Sequence, residues 1–341
     1  MHLLIDTDAG VDDTLALVYA ARSPEAQLEM VTTVSGNVPV REVTQNVLYL
    51  KELLGLEAPV FSGAEVPRAR KLVIAPEVHG EDGVGGYRRS RGIHVGNWET
   101  RDAAQRIVSA ANKYGKKLTI VSLGPMTNLA DAVGIDADAM RKVSGIIQMG
   151  GVFAGYGNTT EFTEFNIFVD PEAADFILAN GVSVKFVPLD LTERLFLPRG
   201  IVEQLFKSSE TKDGNLTDLI RKALHFYIGY HRRKDKLDGC FLHDPIAAAA
   251  ALNPAWFTFV DSFVSVETKG DLTSGMTIAD FRKRRQAKNS EIAVGFDARK
   301  FMRDFTRKVF GMALDSNTIE KECLAGRFSQ PFDNTLRKSP Q

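Results

Sequence analysis

The chain carries only two cysteines, Cys240 and Cys323, among 341 residues. Neither stands in a CxxC or other ligand spacing, which argues against a thiolate metal site and against a disulfide framework. Such sparse cysteine usage suits a reducing compartment, so a cytoplasmic protein is expected. The sequence lacks any run of about 18 apolar residues that could span a bilayer. Its opening, MHLLIDTDAG, has too short an apolar stretch before its acids to be a secretory signal. A surplus of either charge is missing too: the formal net charge is −1. Nothing in that balance points to nucleic acid or to an anionic membrane surface as a partner. Internal repeats and convincing linkers are absent.

What is present is ordinary globular material, 44% hydrophobic and 25% charged, enough for a large core. His2–Ile5 is a short apolar run ending in acids. From Asp12, apolar residues recur at helical spacing until Ser23-Pro24 stops them. Leu28–Val34 is β-rich and precedes an amphipathic helix to about Leu54. Pro59–Ser62 leads to a glycine-rich loop, Val78–Gly86. A helix over 100–114, strands at 117–123 and 145–149, a helix over 171–180 and a strand at 182–187 follow. This alternation predicts an α/β fold with a mostly parallel central sheet flanked by helices on both faces. One domain over 1–328 is expected, with helical and β insertions after about residue 195. Residues 257–280 look like a strand pair, 282–288 like a solvated basic loop, and 329–341 like a loose tail. In such sheets ligands bind at the carboxyl ends of the strands. Those ends fall at Asp6–Asp13, Ser35–Asn37, Gly124–Asn128 and Gly150–Gly151.

Asp6, Asp8, Asp12 and Asp13 place four carboxylates within eight residues, at a strand end and a helix start. Helix capping accounts for one or two acids there, at ~0.3–1 kcal/mol each. Two carboxylates ~4 Å apart repel by about 4 kcal/mol at an effective dielectric near 20. A hard cation removes that penalty, and oxygen-only ligands suit calcium or magnesium. An EF-hand loop counted from Asp6 would need glycine where Val11 stands and glutamate where Leu17 stands, so it fails. A haloacid-dehalogenase-type, magnesium-dependent phosphatase also opens on Asp-x-Asp. That family wants threonine or valine where Gly10 stands, and it leaves Asp12-Asp13 unexplained.

Asp-Thr-Asp-Ala-Gly-Val-Asp-Asp instead resembles the opening signature of the inosine-uridine-preferring nucleoside hydrolases. Ser35-Gly36-Asn37 and the glycine-rich run His79–Gly86 are similar to that family's next loops. Gly124-Pro125-Met126-Thr127-Asn128, Met149-Gly150-Gly151, Gly157-Asn158, Glu164-Phe165-Asn166, Asp170-Pro171-Glu172-Ala173-Ala174 and His243-Asp244-Pro245 follow in family order. The departures are mild: Ala9 where proline is usual, Met126 for leucine, and one extra residue between Met149 and Asn158.

The resemblance implies a Rossmann-like fold and hydrolysis of the N-glycosidic bond of ribonucleosides. It implies one Ca2+ ion on Asp8, Asp13, Asp244 and the backbone carbonyl of Thr127, with Asp8 activating a calcium-bound water. Asp244 on its own would read as a helix N-cap before Pro245. The same resemblance gives the ribose to Asp12, Asn37, Asn158, Glu164 and Asn166, and leaves Asp6 to hold the loop. His243, a residue type that titrates near neutrality, becomes the candidate acid for the departing base. His79, Tyr227, Tyr230 and His231 become possible base contacts. The partners implied are a small-molecule nucleoside and further copies of the chain, as homodimer or homotetramer. A non-catalytic nucleoside- or sugar-binding protein on the same fold is the alternative from another class.

Overall fold

The protein is described from a computed structural model covering residues 1–96, 102–208, 214–282 and 287–324. Nine strands form one sheet: β1 (His2–Thr7), β2 (Gln27–Thr33), β3 (Val60–Ser62), β4 (Leu118–Ser122), β5 (Gly145–Met149), β6 (Val184–Val187), β9 (Phe257–Val266), β10 (Thr277–Asp280) and β11 (Ser290–Phe296). Their order is β10-β9-β11-β6-β5-β4-β1-β2-β3. Every pairing from β3 across to β11 is parallel, and only β9 runs antiparallel, against β11 and β10. The expected mostly parallel sheet is therefore present. The strand pair at 257–280 joins it through β11. Two short strands, β7 (Phe196–Pro198) and β8 (Gly239–Phe241), pair separately. The loose tail expected at 329–341 and most of the basic run 282–288 lie outside the described residues.

Both faces of the sheet are covered, and side-chain alternation shows how. Leu3 and Ile5 of β1 enter one core while Leu4 enters the other. Val121 and Leu123 divide from Leu118 and Ile120 of β4 in the same way. A strand buried on both faces must be apolar throughout, which is why these runs do not alternate with polar residues. The helices Val11–Ala21, Val40–Leu54, His243–Leu252 and Ala298–Phe310 cover the first face. Ala103–Tyr114, Thr127–Ile135 and Pro171–Ala179 cover the second.

Two consequences position the site. The strand order runs outward in opposite directions from β1 and β4, so a crevice opens at their carboxyl ends. The helix His243–Leu252 is buried along its whole length and packs on Val11–Ala21 and β5. Its alanine run permits that close approach, since larger side chains would hold the backbones apart. The two helices consequently begin side by side, and the positive ends of their dipoles face the acidic cluster.

Candidate active site

The acids form the floor of the crevice. Asp8 follows β1, while Asp12 and Asp13 lie in the first turn of Val11–Ala21. Asp244 lies in the first turn of His243–Leu252, preceded by Leu242 as the capping residue. It is therefore not the N-cap expected from Pro245, and its carboxyl is free for another task. Oxygens of Asp12, Asp13 and Asp244 lie within 4.8 Å of one another. All four acids are buried. Burial and the neighbouring carboxylates push Asp8 and Asp244 well above the usual range, and Asp12 up to about 8.

Neutral donors hold this floor in place. Asp13 accepts from Thr7 Oγ1 at 2.5 Å, from the Gly10 N–H at 2.8 Å and from Asn37 Nδ2 at 3.2 Å. Asp8 Oδ2 accepts the Asn37 N–H at 2.8 Å. Asp8 Oδ1 is buried with no hydrogen-bond partner among the described residues. Gly36 is required here for space: a Cβ would stand 2.1 Å from Asp8 Oδ2. Ala9 occupies the left-handed region at φ 35°, a strained conformation for alanine. Thr7 Oγ1 accepts its N–H, and Asn46 Nδ2 donates to its carbonyl. Proline cannot reach that φ, which gives the departure at this position a structural counterpart. Asp6 Oδ1 accepts from Thr32 at 2.6 Å and Asn128 at 2.8 Å, and its Oδ2 is buried with no partner among the described residues.

Above the floor lies a cavity of about 560 Å³. Asp12, Asn37, Asn158, Glu164, Asn166 and Asp244 line it, together with the rings of His79, Tyr227, Tyr230, His231, Phe241 and His243. Thus the structure brings the sequence-derived residues together, with Asp8, Asp13 and Thr127 outside the lining. Glu164 is the N-cap of the helix Phe165–Val169; its oxygens accept the N–H groups of Asn166, Ile167 and Gly151 at 2.8–3.1 Å. Burial still raises it to about 7. Asn166 spends its Nδ2 on the carbonyls of Leu123 and Met149, leaving Oδ1 for the cavity. Asn158 is exposed at the rim. Thr127 is tied down through its hydroxyl, which donates to Asp170 at 2.6 Å.

The aromatic side is a continuous line of rings, His79 against Tyr227, Tyr227 against His231, His231 against Phe241 and Phe241 against His243, with centroids 4.7–5.6 Å apart. His79 Nδ1 accepts the Val11 N–H at 3.1 Å, satisfying one free donor of that helix start. Its ring hydrogen is thereby placed on Nε2. Burial pushes His79 and His243 down to about 3, with neighbouring histidines adding. The expectation that His243 titrates near neutrality is corrected: it is a neutral imidazole, with Nδ1 held 2.7 Å from Thr192 Oγ1. Tyr230 accepts at its hydroxyl from Lys234. His231 pairs with Asp235 at 2.8 Å and keeps a buried Nε2 without a partner among the described residues.

Thr192, Glu193 and Asp235 escaped the sequence reading. Thr192-Glu193 stands in no recognisable motif, and the Asp235 partnership shows only as an i, i+4 spacing from His231. A second cavity, about 660 Å³, opens at the amino ends of β1, β4, β5 and β6. It holds lysines and apolar groups but none of these acids. The volume is larger, yet the chemistry lies in the smaller one.

Known proteins place this arrangement. The sequence model of the family described as inosine-uridine preferring nucleoside hydrolase matches residues 3–303. A pyrimidine-specific ribonucleoside hydrolase, RihA, of Enterobacter sp. (strain 638) is 36% identical over 306 residues, 89% of this chain and 95% of that one. A non-specific ribonucleoside hydrolase, RihC, of Klebsiella pneumoniae is 34% identical over 304 residues, 89% of this chain and 96% of its own. Among solved structures, a purine-preferring ribonucleoside hydrolase from Gardnerella vaginalis superposes with a TM-score of 0.82 at 32% identity, covering 91% of this chain and 98% of that one. Signature, sheet, acidic floor and relatives agree, and the chain belongs to the inosine-uridine preferring nucleoside hydrolase family.

Proposed function

We propose that the chain hydrolyses the N-glycosidic bond of ribonucleosides, releasing free base and ribose. The observation that carries this reading is the mixed lining of one cavity. Acids and amides that suit a polyol line it together with rings that suit a planar base.

A calcium ion fits the floor. The donor set is all oxygen, oxygens of Asp12, Asp13 and Asp244 converge within 4.8 Å, and buried Asp8 Oδ1 lacks a partner among the described residues. Asp8, Asp13, Asp244 and the Thr127 carbonyl would hold it. When bound, calcium lowers the pKa of water at its site. Asp8 takes the proton of the attacking water as general base. Asp12, Asn37, Glu164 and Asn166, with Asn158 at the rim, bind the ribose hydroxyls. Carboxylates among them also stabilise the positive charge that grows on the sugar as the base departs. Direct attack by water gives inversion at the anomeric carbon. His79 donates from Nε2 toward the base, His243 is the candidate proton donor to it, and Tyr227, Tyr230 and His231 contact it. The relatives' names span pyrimidine-specific, non-specific and purine-preferring enzymes, so base preference varies within the family.

The test is release of reducing sugar from inosine, adenosine, uridine and cytidine, with calcium and after chelation. Ribose from at least one nucleoside, lost in chelator and restored by calcium, is the expected result. No ribose from any of the four defeats the reading; tight nucleoside binding without turnover would favour a binding protein instead. The free, buried Cys240 and Cys323 support a cytoplasmic setting. Among the described residues no helix is long and apolar enough to cross a membrane. The family resemblance also supports a homodimer or homotetramer, which light scattering on the same preparation checks.

A further inference from the structure

Glu193 is a carboxyl on the cavity wall that neither the acidic floor nor the ribose side accounts for. It ends the short helix Leu189–Thr192. That turn is pinned from two directions. Asp190 accepts the N–H groups of Phe153 and Ala154 at 2.8 and 2.9 Å, and Thr192 Oγ1 meets His243 Nδ1 at 2.7 Å. Glu193 lines the same cavity as Tyr230, His231, Asp235 and His243.

Apart from the acids of the floor and Glu77, which is exposed, the other acids lining the cavity are committed. Glu164 accepts three backbone N–H groups, and Asp235 is paired with His231. No hydrogen bond or ion pair reaches the Glu193 carboxyl among the described residues. Glu193 is part-buried, so a base that seals the cavity strips water from its carboxyl, and a partner supplied by that base offsets the cost.

We infer that Glu193 is a specificity-determining residue that hydrogen-bonds the polar edge of the departing base. The inference rests on the nucleoside-hydrolase reading above. Nucleobases set an N–H or amino group beside a carbonyl oxygen or ring nitrogen. A carboxylic acid presents O–H beside C=O at a matching spacing, so the two can pair at two points. Burial, with Asp190 and Asp235 adding to it, raises Glu193 to about 7. Its neutral form, which donates as well as accepts, is therefore populated near neutral pH. An aryl leaving group such as p-nitrophenol offers no such edge.

The experiment compares wild type, Glu193→Leu and Glu193→Gln on uridine, inosine and p-nitrophenyl β-D-riboside in calcium. The ratio of nucleoside kcat/KM to p-nitrophenyl riboside kcat/KM should fall at least about tenfold in Glu193→Leu, mainly through KM, because a site built around a hydrogen bond discriminates strongly when it is lost. Glu193→Gln, whose amide keeps a donor beside an acceptor, should restore the ratio to within a few-fold of wild type. Equal losses on all three substrates, or no loss on any, overturns the assignment. Glu193→Ala replaces Glu193→Leu if circular dichroism shows the latter unfolded. Wild-type enzyme that cleaves the nucleosides while both variants keep the wild-type ratio overturns this inference alone. Wild-type enzyme that cleaves none of the three overturns the functional reading itself.

Discussion

Asp8→Asn is expected to lower kcat on the best nucleoside by on the order of 10³-fold or more, since general-base catalysis alone contributes about 10²–10⁴-fold. The fold should survive. Asparagine matches aspartate in shape, and the pocket around Asp8 is shape-limited: Cβ atoms at Gly36 and Gly124 would stand 2.1 and 2.9 Å from its carboxyl. The amide oxygen can keep the Asn37 N–H that Oδ2 now accepts at 2.8 Å. Its NH2 group then takes the place of Oδ1, the oxygen that has no partner, and turns a donor toward the neighbouring acids. One negative charge leaves a crowded cluster. In chelator the variant should therefore melt at or above wild type, while calcium stabilises it far less. Loss of turnover together with gained metal-free stability separates a chemical role from a structural one. Near-wild-type kcat in the purified variant would remove Asp8 from the role of base.

The legible part of this protein was the part written in local pattern. From β1 to β6 the strand–helix rhythm is regular, and each strand end carries a glycine, proline or polar break. The carboxyl-end rim could thus be placed from sequence. β7 and β8 are three residues each, too short to display a period. β11 and the helix Ala298–Phe310 were missed beyond the basic run, where pattern gives way to charge. The site divides in the same way. Asp8, Asp12, Asp13, Asn37 and Asn166 stand in dense local motifs. Glu193 and Thr192 reach the cavity only because a turn after β6 packs beside His243. The chemical states were less legible still. A histidine beside an aspartate suggests titration near neutrality, but His243 is enclosed, and burial holds it neutral. Asp12 illustrates a subtler limit. Motif position separates it from the metal ligands, whereas the first turn of its helix sets one oxygen with Asp13 and Asp244 and still leaves it lining the cavity.

Removing the metal should make stability depend on pH in a direction opposite to that of most proteins in mild acid. Without a cation, burial and mutual repulsion raise Asp8 and Asp244 well above the usual range, and Asp12 from 3.8 to about 8. In the unfolded chain these carboxyls ionise at their ordinary values. Between about pH 4 and 8 the folded state therefore holds more protons than the unfolded one. Stability then falls as pH rises, by about 1.4 kcal/mol per pH unit for each proton retained. Below that window the penalty vanishes, because both states are protonated; above it the penalty is complete. Calcium reverses the balance, since it binds the ionised carboxylates and competes with their protons. Asp6, Glu164 and Glu193, each raised to about 7 by burial, add the same slope with or without metal. The informative quantity is thus the difference in Tm between calcium and chelator, measured from pH 5 to pH 8. That difference should widen steadily with pH and shrink in Asp8→Asn. Parallel melting profiles in the two conditions would mean that the acidic floor is not where calcium binds.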